Sequence, residues 1–240
     1  MELGKNIARK IIVFLLTFVM IAGSCTPLMT TYAGASDTPD EFFDFNASTK
    51  TIVGYSDRAD APKNVVIPSV INGTPVEKIG SRAFAGHQLT SVVIPSSVKE
   101  IGDEGFANNP AISSITLNEG LVSMGREAFG NTSITSINIP ASLTTMGEYA
   151  FVDSSSLQTI NFAPNSQLKD IPSAAFKGTA VKNVTIPDSV TTIDNGAFSN
   201  TDLLKEIKIP TKNSGEITGA PWDNKVGLAN WKDTINIGPY

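Results

Sequence analysis

The sequence is poor in the residues from which most active sites are built. It holds one cysteine, Cys25, and one histidine, His87, in 240 residues. A single cysteine forms no internal disulfide. Without a second histidine or a cysteine in the mature chain, a Cys/His nucleophile pair and a histidine-rich zinc site are excluded. His87 is expected to lie in a solvated turn.

Phosphate-binding loops, dinucleotide fingerprints, serine nucleophile elbows and EF-hand loops are absent from the sequence as well. The chain is acidic, with 18 Lys and Arg against 23 Asp and Glu, so it repels nucleic acid. Carboxylates such as Asp103 and Glu104 precede short segments where a negative charge favours exposed amides. We therefore expect no catalytic residue, metal ligand or cofactor, and predict that the protein is not an enzyme.

What the chain has in quantity is repetition. The last apolar residues of six short alternating segments are spaced by 23, 22, 23, 24 and 23 residues: Ile94, Leu117, Ile139, Phe162, Ile186 and Ile209. A fixed period in this range predicts a solenoid of stacked coils. A second column keeps the same phase, and we expect its side chains to form an internal aromatic ladder: Phe84, Phe106, Phe129, Phe151, Phe176 and Phe198.

Each repeat divides into recognisable pieces. Segments such as SITL and SINI alternate apolar and polar residues, which predicts a half-buried strand. A second apolar pair follows, and the piece before each Phe is long enough for about one helical turn. Two residues after each Phe stands Gly, Asn or Asp, which tolerate a left-handed backbone and predict a closing turn.

The strands turn two polar positions per coil away from the core. Their hydroxyl and amide groups can bind a sugar or a peptide, and they also serve simply to keep a sheet soluble. We assign the candidate binding surface to this face, at Ser114, Thr116, Ser136, Asn138, Thr159, Asn161, Asn183 and Thr185.

The unit IPSSVKEIGDEGFANN and its copies through Asn200 closely resemble the BspA-like, or Treponema-type, leucine-rich repeat. The resemblance implies a right-handed β/α superhelix, with a parallel sheet on the concave face and short helical turns elsewhere. This sequence departs from the pattern at Asn118 and Ala163, which replace a strand-ending Pro, and at Pro172 and Asp194, which replace a Gly. A cysteine frequent in the family is missing.

The ends of the chain differ from the array. We predict a signal peptide over 1–35, a linker and hairpin cap over 36–64, the solenoid over 65–210 and a C-terminal cap over 211–240. The hairpin is expected around the letters NASTK, and a five-residue insertion is expected on a tight turn at Asn72-Gly73. The C-terminal cap is expected to close the last coil with Trp222 and Trp231.

Two routes of export remain open. Cleavage after Ala35 follows an Ala-x-Ala site, whereas the letters AGSC resemble a lipobox and would place a lipid on Cys25. On either route the protein is expected to be secreted or held at the cell surface, and a lipid on Cys25 is the only expected membrane contact.

The resemblance implies a protein-binding or adhesion module. Its ligand would be a protein or a glycan, on host matrix, other bacteria or host receptors. The alternative is a structural spacer or assembly component of the envelope without a soluble ligand. We expect a monomer.

Overall fold

The computed structural model describes residues 37–194, 196–208 and 234–236. The predicted signal peptide, Cys25 and nearly all of the predicted C-terminal cap, including both tryptophans, lie outside the described residues. Within them the chain winds as a β-solenoid of about seven coils, which confirms the predicted fold class. Successive coils add parallel strands at equivalent positions.

One strand of each coil forms what we call the long-strand row. Its members run parallel, and those that are hydrogen-bonded pair in register, so that Ser91 lies beside Ser114 and Ser136 lies beside Thr159. Alternate residues point inward and outward along each strand, as the sequence pattern predicts. The row consists of Asn64–Val66, Ser91–Ile94, Ser114–Leu117, Ser136–Ile139, Thr159–Phe162, Asn183–Thr185 and Glu206–Lys208.

A second set of two-residue strands forms the short-strand row. Its inward side chains are the second apolar residue of each repeat, such as Ile101 and Met124. The row consists of Lys78–Ile79, Glu100–Ile101, Ser123–Met124, Thr145–Met146, Asp170–Ile171 and Thr192–Ile193. The predicted hairpin extends it at the N-terminal end: Phe43–Asn46 pairs antiparallel with Thr51–Tyr55, and Thr51–Tyr55 pairs in parallel with Lys78–Ile79.

The segments around each Phe, which we call the turn row, are β-turns rather than the short helical pieces that the resemblance implies. The residue two places before the Phe has positive φ, for example 55° at Glu104 and 52° at Glu127, and a left-handed residue interrupts an α-helix. The amides of Glu104, Phe106 and Asn108 then donate to carbonyls of the following coil at 2.7–2.9 Å. Among the described residues the one helix is the 3-10 turn Asp40–Phe42.

The residues two places after each Phe are also left-handed, in agreement with the sequence prediction. Their φ angles lie between 54° and 75°. The positions two places after each Phe form a second left-handed column, which holds only Gly, Asn and Asp. The first column, two places before each Phe, accepts residues such as Arg, Glu and Tyr. The prediction therefore succeeded only where the residue type reveals the backbone. The second column is Gly86, Asn108, Asn131, Asp153, Gly178 and Asn200.

The centre of the solenoid holds the six phenylalanines expected to form a ladder. Neighbouring rings lie 4.9–5.5 Å apart at interplanar angles of 5–14°, and each side chain is fully buried. Tyr55 and Phe43 from the N-terminal hairpin contact the first ring, Phe84, at 5.2 and 6.2 Å. The hairpin therefore covers the aromatic ladder at that end.

Both ends of the long-strand row are covered by other parts of the chain. At the first strand, the amide of Thr38 donates to Val66 O at 2.9 Å and its hydroxyl accepts from Val66 N at 3.0 Å. At the last strand, Thr234–Asn236 pairs antiparallel with Glu206–Lys208. Covered edges leave fewer unpaired strand groups to recruit another chain.

The insertion in the first coil forms the predicted tight turn. Val70–Ile71 pairs antiparallel with Thr74–Pro75, and the two residues between them have φ of 48° at Asn72 and 79° at Gly73. Two consecutive positive φ angles are typical of a type I′ hairpin turn. The extra residues thus project from the coil without disturbing its stacking.

Candidate functional site

The candidate surface is the outward face of the long-strand row. All eight side chains assigned to it from the sequence are exposed. On its other long strands Val66, Val93 and Ser91 are half-buried, and charge enters only at the last strand, with Glu206 and Lys208. The face thus presents mainly uncharged hydroxyl and amide groups, with charged side chains only on its last strand.

The structure brings these eight residues together in three groups. Parallel pairing aligns Asn138 with Asn161, and Asn161 Nδ2 donates to Asn138 Oδ1 at 2.9 Å. An amide held in this way has a fixed direction, and it keeps one donor and one acceptor for a ligand. The first group holds Ser114 and Thr116. The second holds Ser136, Asn138, Thr159 and Asn161, and the third holds Asn183 and Thr185.

The groups are separate because the hydrogen-bonded sheet is split twice. Within residues 37–194, no main-chain hydrogen bond joins Ser114–Leu117 to Ser136–Ile139, or Thr159–Phe162 to Asn183–Thr185. The short-strand row is also divided, between Thr145–Met146 and Asp170–Ile171. One unusually long coil contains both Thr159–Phe162 and Asp170–Ile171. The break in the short-strand row lies before this coil, and the second break of the long-strand row lies after it.

A groove of about 520 Å³ opens at the second break. Every residue of the facing strands lines it, including the inward-pointing Ile160 and Val184. Exposed Asn161, Asn183 and Thr185 form its polar rim, and Glu206 and Lys208 lie at its end. This volume falls within the range of ligand pockets, roughly 300–1,000 Å³.

Phe162 and the residues after it give the groove its apolar part. Other coils place buried aliphatic side chains at this phase, for example Ile139 and Ile186, but the larger Phe162 is half-buried and packs against the edge of the core. The two extra residues of this coil extend the loop at Ala163 to Gln167, and Asn165 has a φ of 60°. Ala163 and Pro164 line the groove beside the Phe162 ring.

A buried polar column, which sequence reasoning missed, supports the turn row. Three residues after each Phe from Phe106 onward stands a short polar side chain: Asn109, Thr132, Ser154, Thr179 and Thr201. Thr132 Oγ1 and Ser154 Oγ both donate to Phe129 O, at 3.2 and 3.1 Å. The sequence could have revealed this column, because Asn, Thr or Ser recurs at the same position of five repeats. These side chains donate hydrogen bonds to main-chain carbonyls beside the aromatic ladder.

His87 occupies the same phase in the first coil, and the sequence expectation that it is solvated is wrong. Its side chain is 13% exposed, with Nδ1 3.1 Å from Asp57 Oδ1 and its ring edge-on to Tyr55 at 5.7 Å. Burial lowers the pKa of His87, and the attraction of Asp57 opposes this only in part. The residue therefore anchors the loop after the hairpin to the first coil.

The turn row carries an ion pair and a cation–π contact between coils. Arg82 donates to both carboxylate oxygens of Glu104, at 3.0 and 2.8 Å, and this hydrogen bonding lowers the pKa of the Glu104 carboxyl. Arg126 lies over the Tyr149 ring at 4.9 Å. Within the described part of the chain, no group of three or more metal-ligating side chains converges. No helix there is long and apolar enough to cross a membrane.

Comparison with known families identifies the repeats. A family model described as BspA type leucine rich repeat region matches in six copies, over residues 77–205 and 169–218. The match begins just before the short strand Lys78–Ile79 of the first coil and takes in the short-strand, turn and long-strand rows that follow. Comparison with curated proteins gives no match.

Solved structures of bacterial proteins resemble this one. A leucine-rich-repeat protein from T. pallidum is 31% identical, covers 72% of this chain and 81% of its own, and has a TM-score of 0.65. The pneumococcal vaccine antigen PcpA is 26% identical with a TM-score of 0.58, over 68% of this chain and 44% of its own. A leucine-rich cell surface protein from Faecalibacterium prausnitzii is 28% identical with a TM-score of 0.50, over 70% and 52%. The chain thus spans less than half of the pneumococcal protein.

Proposed function

The chain belongs to the BspA type leucine-rich-repeat family, and on that premise we propose that it is a protein-binding module, secreted from or displayed on a bacterial cell. The observation that supports this most is the outward face of the long-strand row, where eight exposed hydroxyl and amide side chains lie on fixed strands. A surface that is already ordered loses little conformational entropy when a partner binds.

Export is part of the same proposal. The apolar run after Lys10 and the Ala33-Gly34-Ala35 site support a cleaved leader, and one similar structure is described as a cell surface protein. We propose adhesion to host matrix or to other bacteria as the setting in which the face works. Binding of a partner, rather than catalysis, is the activity to be expected of such a repeat scaffold.

The covered edges favour a binder over the structural spacer. A spacer that grows by stacking needs open strand edges, whereas Thr38 and Thr234–Asn236 occupy the edges of the first and last long strands. The ordered Asn138–Asn161 pair also presents directed polar groups to solvent. We therefore propose a monomer that binds through one face.

The test is a binding panel with matched triple variants. The full mature chain is measured against purified extracellular-matrix proteins, as wild type and with Asn138, Asn161 and Thr185 all changed to Ala. Truncating three central contacts should weaken any matrix binding by at least tenfold, about 1.4 kcal/mol. The control changes Ser123, Thr145 and Thr192 to Ala on the short-strand row and should bind within about twofold of wild type, well under 1 kcal/mol. If both triple variants bind equally well, the partner does not bind through the long-strand face.

A further inference from the structure

We infer that a depression on the turn row is a second binding site and takes a saccharide. The depression surrounds Gly130 and has a volume of about 340 Å³, at the lower end of the range for ligand pockets, roughly 300–1,000 Å³. We call it the Gly130 depression. The inference goes beyond the proposed function, because this site lies on a different row from the long-strand face and takes a different class of ligand.

A missing side chain opens the depression. The residue directly after each Phe of the ladder is Ala, Val, Lys or Ser in the other coils, whereas Gly130 follows Phe129. A Cβ on Gly130 would lie 3.0 Å from Val152 Cγ1 and 3.7 Å from Glu127 Cβ. Gly130 does not have a positive φ, so the backbone does not require glycine here. The space that the side chain would have filled is therefore open to a ligand.

One rim of the depression is a run of exposed polar side chains on three successive coils, Asn108, Asn131 and Asp153. They belong to the left-handed column two places after each Phe, where Gly86 and Gly178 adopt the same backbone without a side chain. The turn alone therefore does not require these polar groups. The two glycines also end the run on both sides, so three such side chains follow one another only beside the depression.

The lining offers both hydrogen-bond donors and acceptors. Asn131 Nδ2 donates to Asn108 Oδ1 at 3.2 Å, which leaves the Asn108 amide group as a donor and Asn131 Oδ1 as an acceptor. The carboxylates of Glu127 and Asp153 accept only. Sugar hydroxyls both donate and accept, so they suit this mixture. An ammonium group would leave the Asn108 donors unused, and the carboxylates would repel an anion.

The site is ordered before a ligand binds. The main-chain amides of the three rim residues donate to carbonyls of the following coil at 2.8–2.9 Å. Glu127 Oε1 lies 2.7 Å from Arg126 Nη2, and the Arg126 guanidinium lies over the Tyr149 ring at 4.9 Å. Groups that are already fixed lose little conformational entropy on binding. Ala107 and Val152 add small apolar surfaces for the C–H groups of a sugar ring.

The experiment screens the full mature chain on a printed array of neutral oligosaccharides, and bound oligosaccharides are then titrated in solution by calorimetry. Gly130→Lys fills the depression with a side chain that Lys177 places at the same phase of another coil, and Ala85→Lys is the matched control. Asn131→Gly removes the central rim amide but suits the left-handed backbone, and Asn200→Gly is its control in the same column. Each variant is first checked for an unchanged thermal unfolding midpoint.

We expect Gly130→Lys and Asn131→Gly each to weaken saccharide binding at least tenfold, and both controls to bind within twofold of wild type. An array without a bound oligosaccharide, or equal binding by all variants, would overturn the saccharide site but leave the proposed function in place. Binding of a lysine-rich peptide instead of a sugar, lost in Asp153→Asn, would overturn the ligand class. All of these variants should bind matrix proteins as wild type does, so failure of the matrix panel would count against the proposed function alone.

Discussion

The side-chain amide of Asn109 donates to the carbonyl oxygen of Phe84, in the preceding coil, at 2.8 Å. The same nitrogen is shared with Phe106 O and Ala107 O at 2.9 and 3.2 Å, while Asn109 Oδ1 accepts from the Leu89 amide at 3.1 Å. One fully buried side chain thus ties two coils together beside the aromatic ladder. Polar groups, and not only stacked rings, hold the register of the solenoid.

Changing Asn109 to Ala should therefore destabilise the protein by about 3 kcal/mol, since each orphaned buried group costs about 1–3 kcal/mol. Asn109→Thr should recover part of the loss, because Thr132 occupies the same phase and bonds to a Phe carbonyl. Urea unfolding monitored by circular dichroism measures both variants. A loss below about 1 kcal/mol for Asn109→Ala would show that the column does not carry stability.

The aromatic ladder gives a second prediction. Phe129 lies between rings at 5.4 and 5.5 Å and is fully buried, so Phe129→Ala leaves a cavity in the centre and should cost about 3–5 kcal/mol. Val122→Ala, at a side chain 42% exposed, is the control and should change stability by less than about 0.5 kcal/mol. Similar unfolding midpoints for the two variants would contradict the ladder as the main source of stability.

Close approach of coils at the short-strand row gives a third prediction. A Cβ on Gly147 would overlap the main chain of Gly125 and Arg126, which cannot move without opening the coils. A Cβ on Gly130 would meet the Cγ1 methyl of Val152 at 3.0 Å, which can turn aside. Gly147→Ala should cost about 2–3 kcal/mol and Gly130→Ala about 1 kcal/mol or less. Differential scanning calorimetry would compare them, and the reverse order would be the contradictory result.

Sequence reasoning succeeded where a residue type reports its own environment. The period of the strands, the buried Phe column, the hairpin around NASTK and the Asn72-Gly73 turn are all present. The left-handed residues before each Phe were not foreseen, because Arg82, Glu104 and Tyr149 show no common backbone preference. Their conformation is imposed by hydrogen bonds to the next coil.

The groove was not foreseen for a related reason. The sequence marks the coil that bears it, since Ala163 and Pro172 depart from the repeat and this coil, at 24 residues, is the longest after the first coil with its insertion. A departure indicates where stacking is altered, but whether strands separate depends on how Phe162 packs in three dimensions. Likewise, the burial of His87 follows from the loop that folds over it, which the local sequence does not specify.

His87 provides a prediction on pH. Its pKa in the folded protein lies below that of a histidine in an unfolded chain, about 6.5. The unfolded state therefore binds the proton more readily, and the stability that neutral His87 contributes is full above pH 6.5 and declines as the pH falls below it. His87→Asn, which places the side chain of Asn109 at the same phase, should lose less stability between pH 7.5 and pH 5 than wild type. Urea unfolding at both pH values provides the comparison, and parallel losses would contradict the assignment.

The central claim is that the long-strand face is where a partner binds. Hydrogen exchange of the full mature chain, free and saturated with a matrix protein that binds it in the panel, tests it most directly. We expect slowed exchange in fragments covering Ser136–Ile139, Thr159–Phe162 and Asn183–Thr185, with the turn row around Phe106 and Phe129 unchanged. Slowed exchange confined to the turn row or the short-strand row would contradict the account.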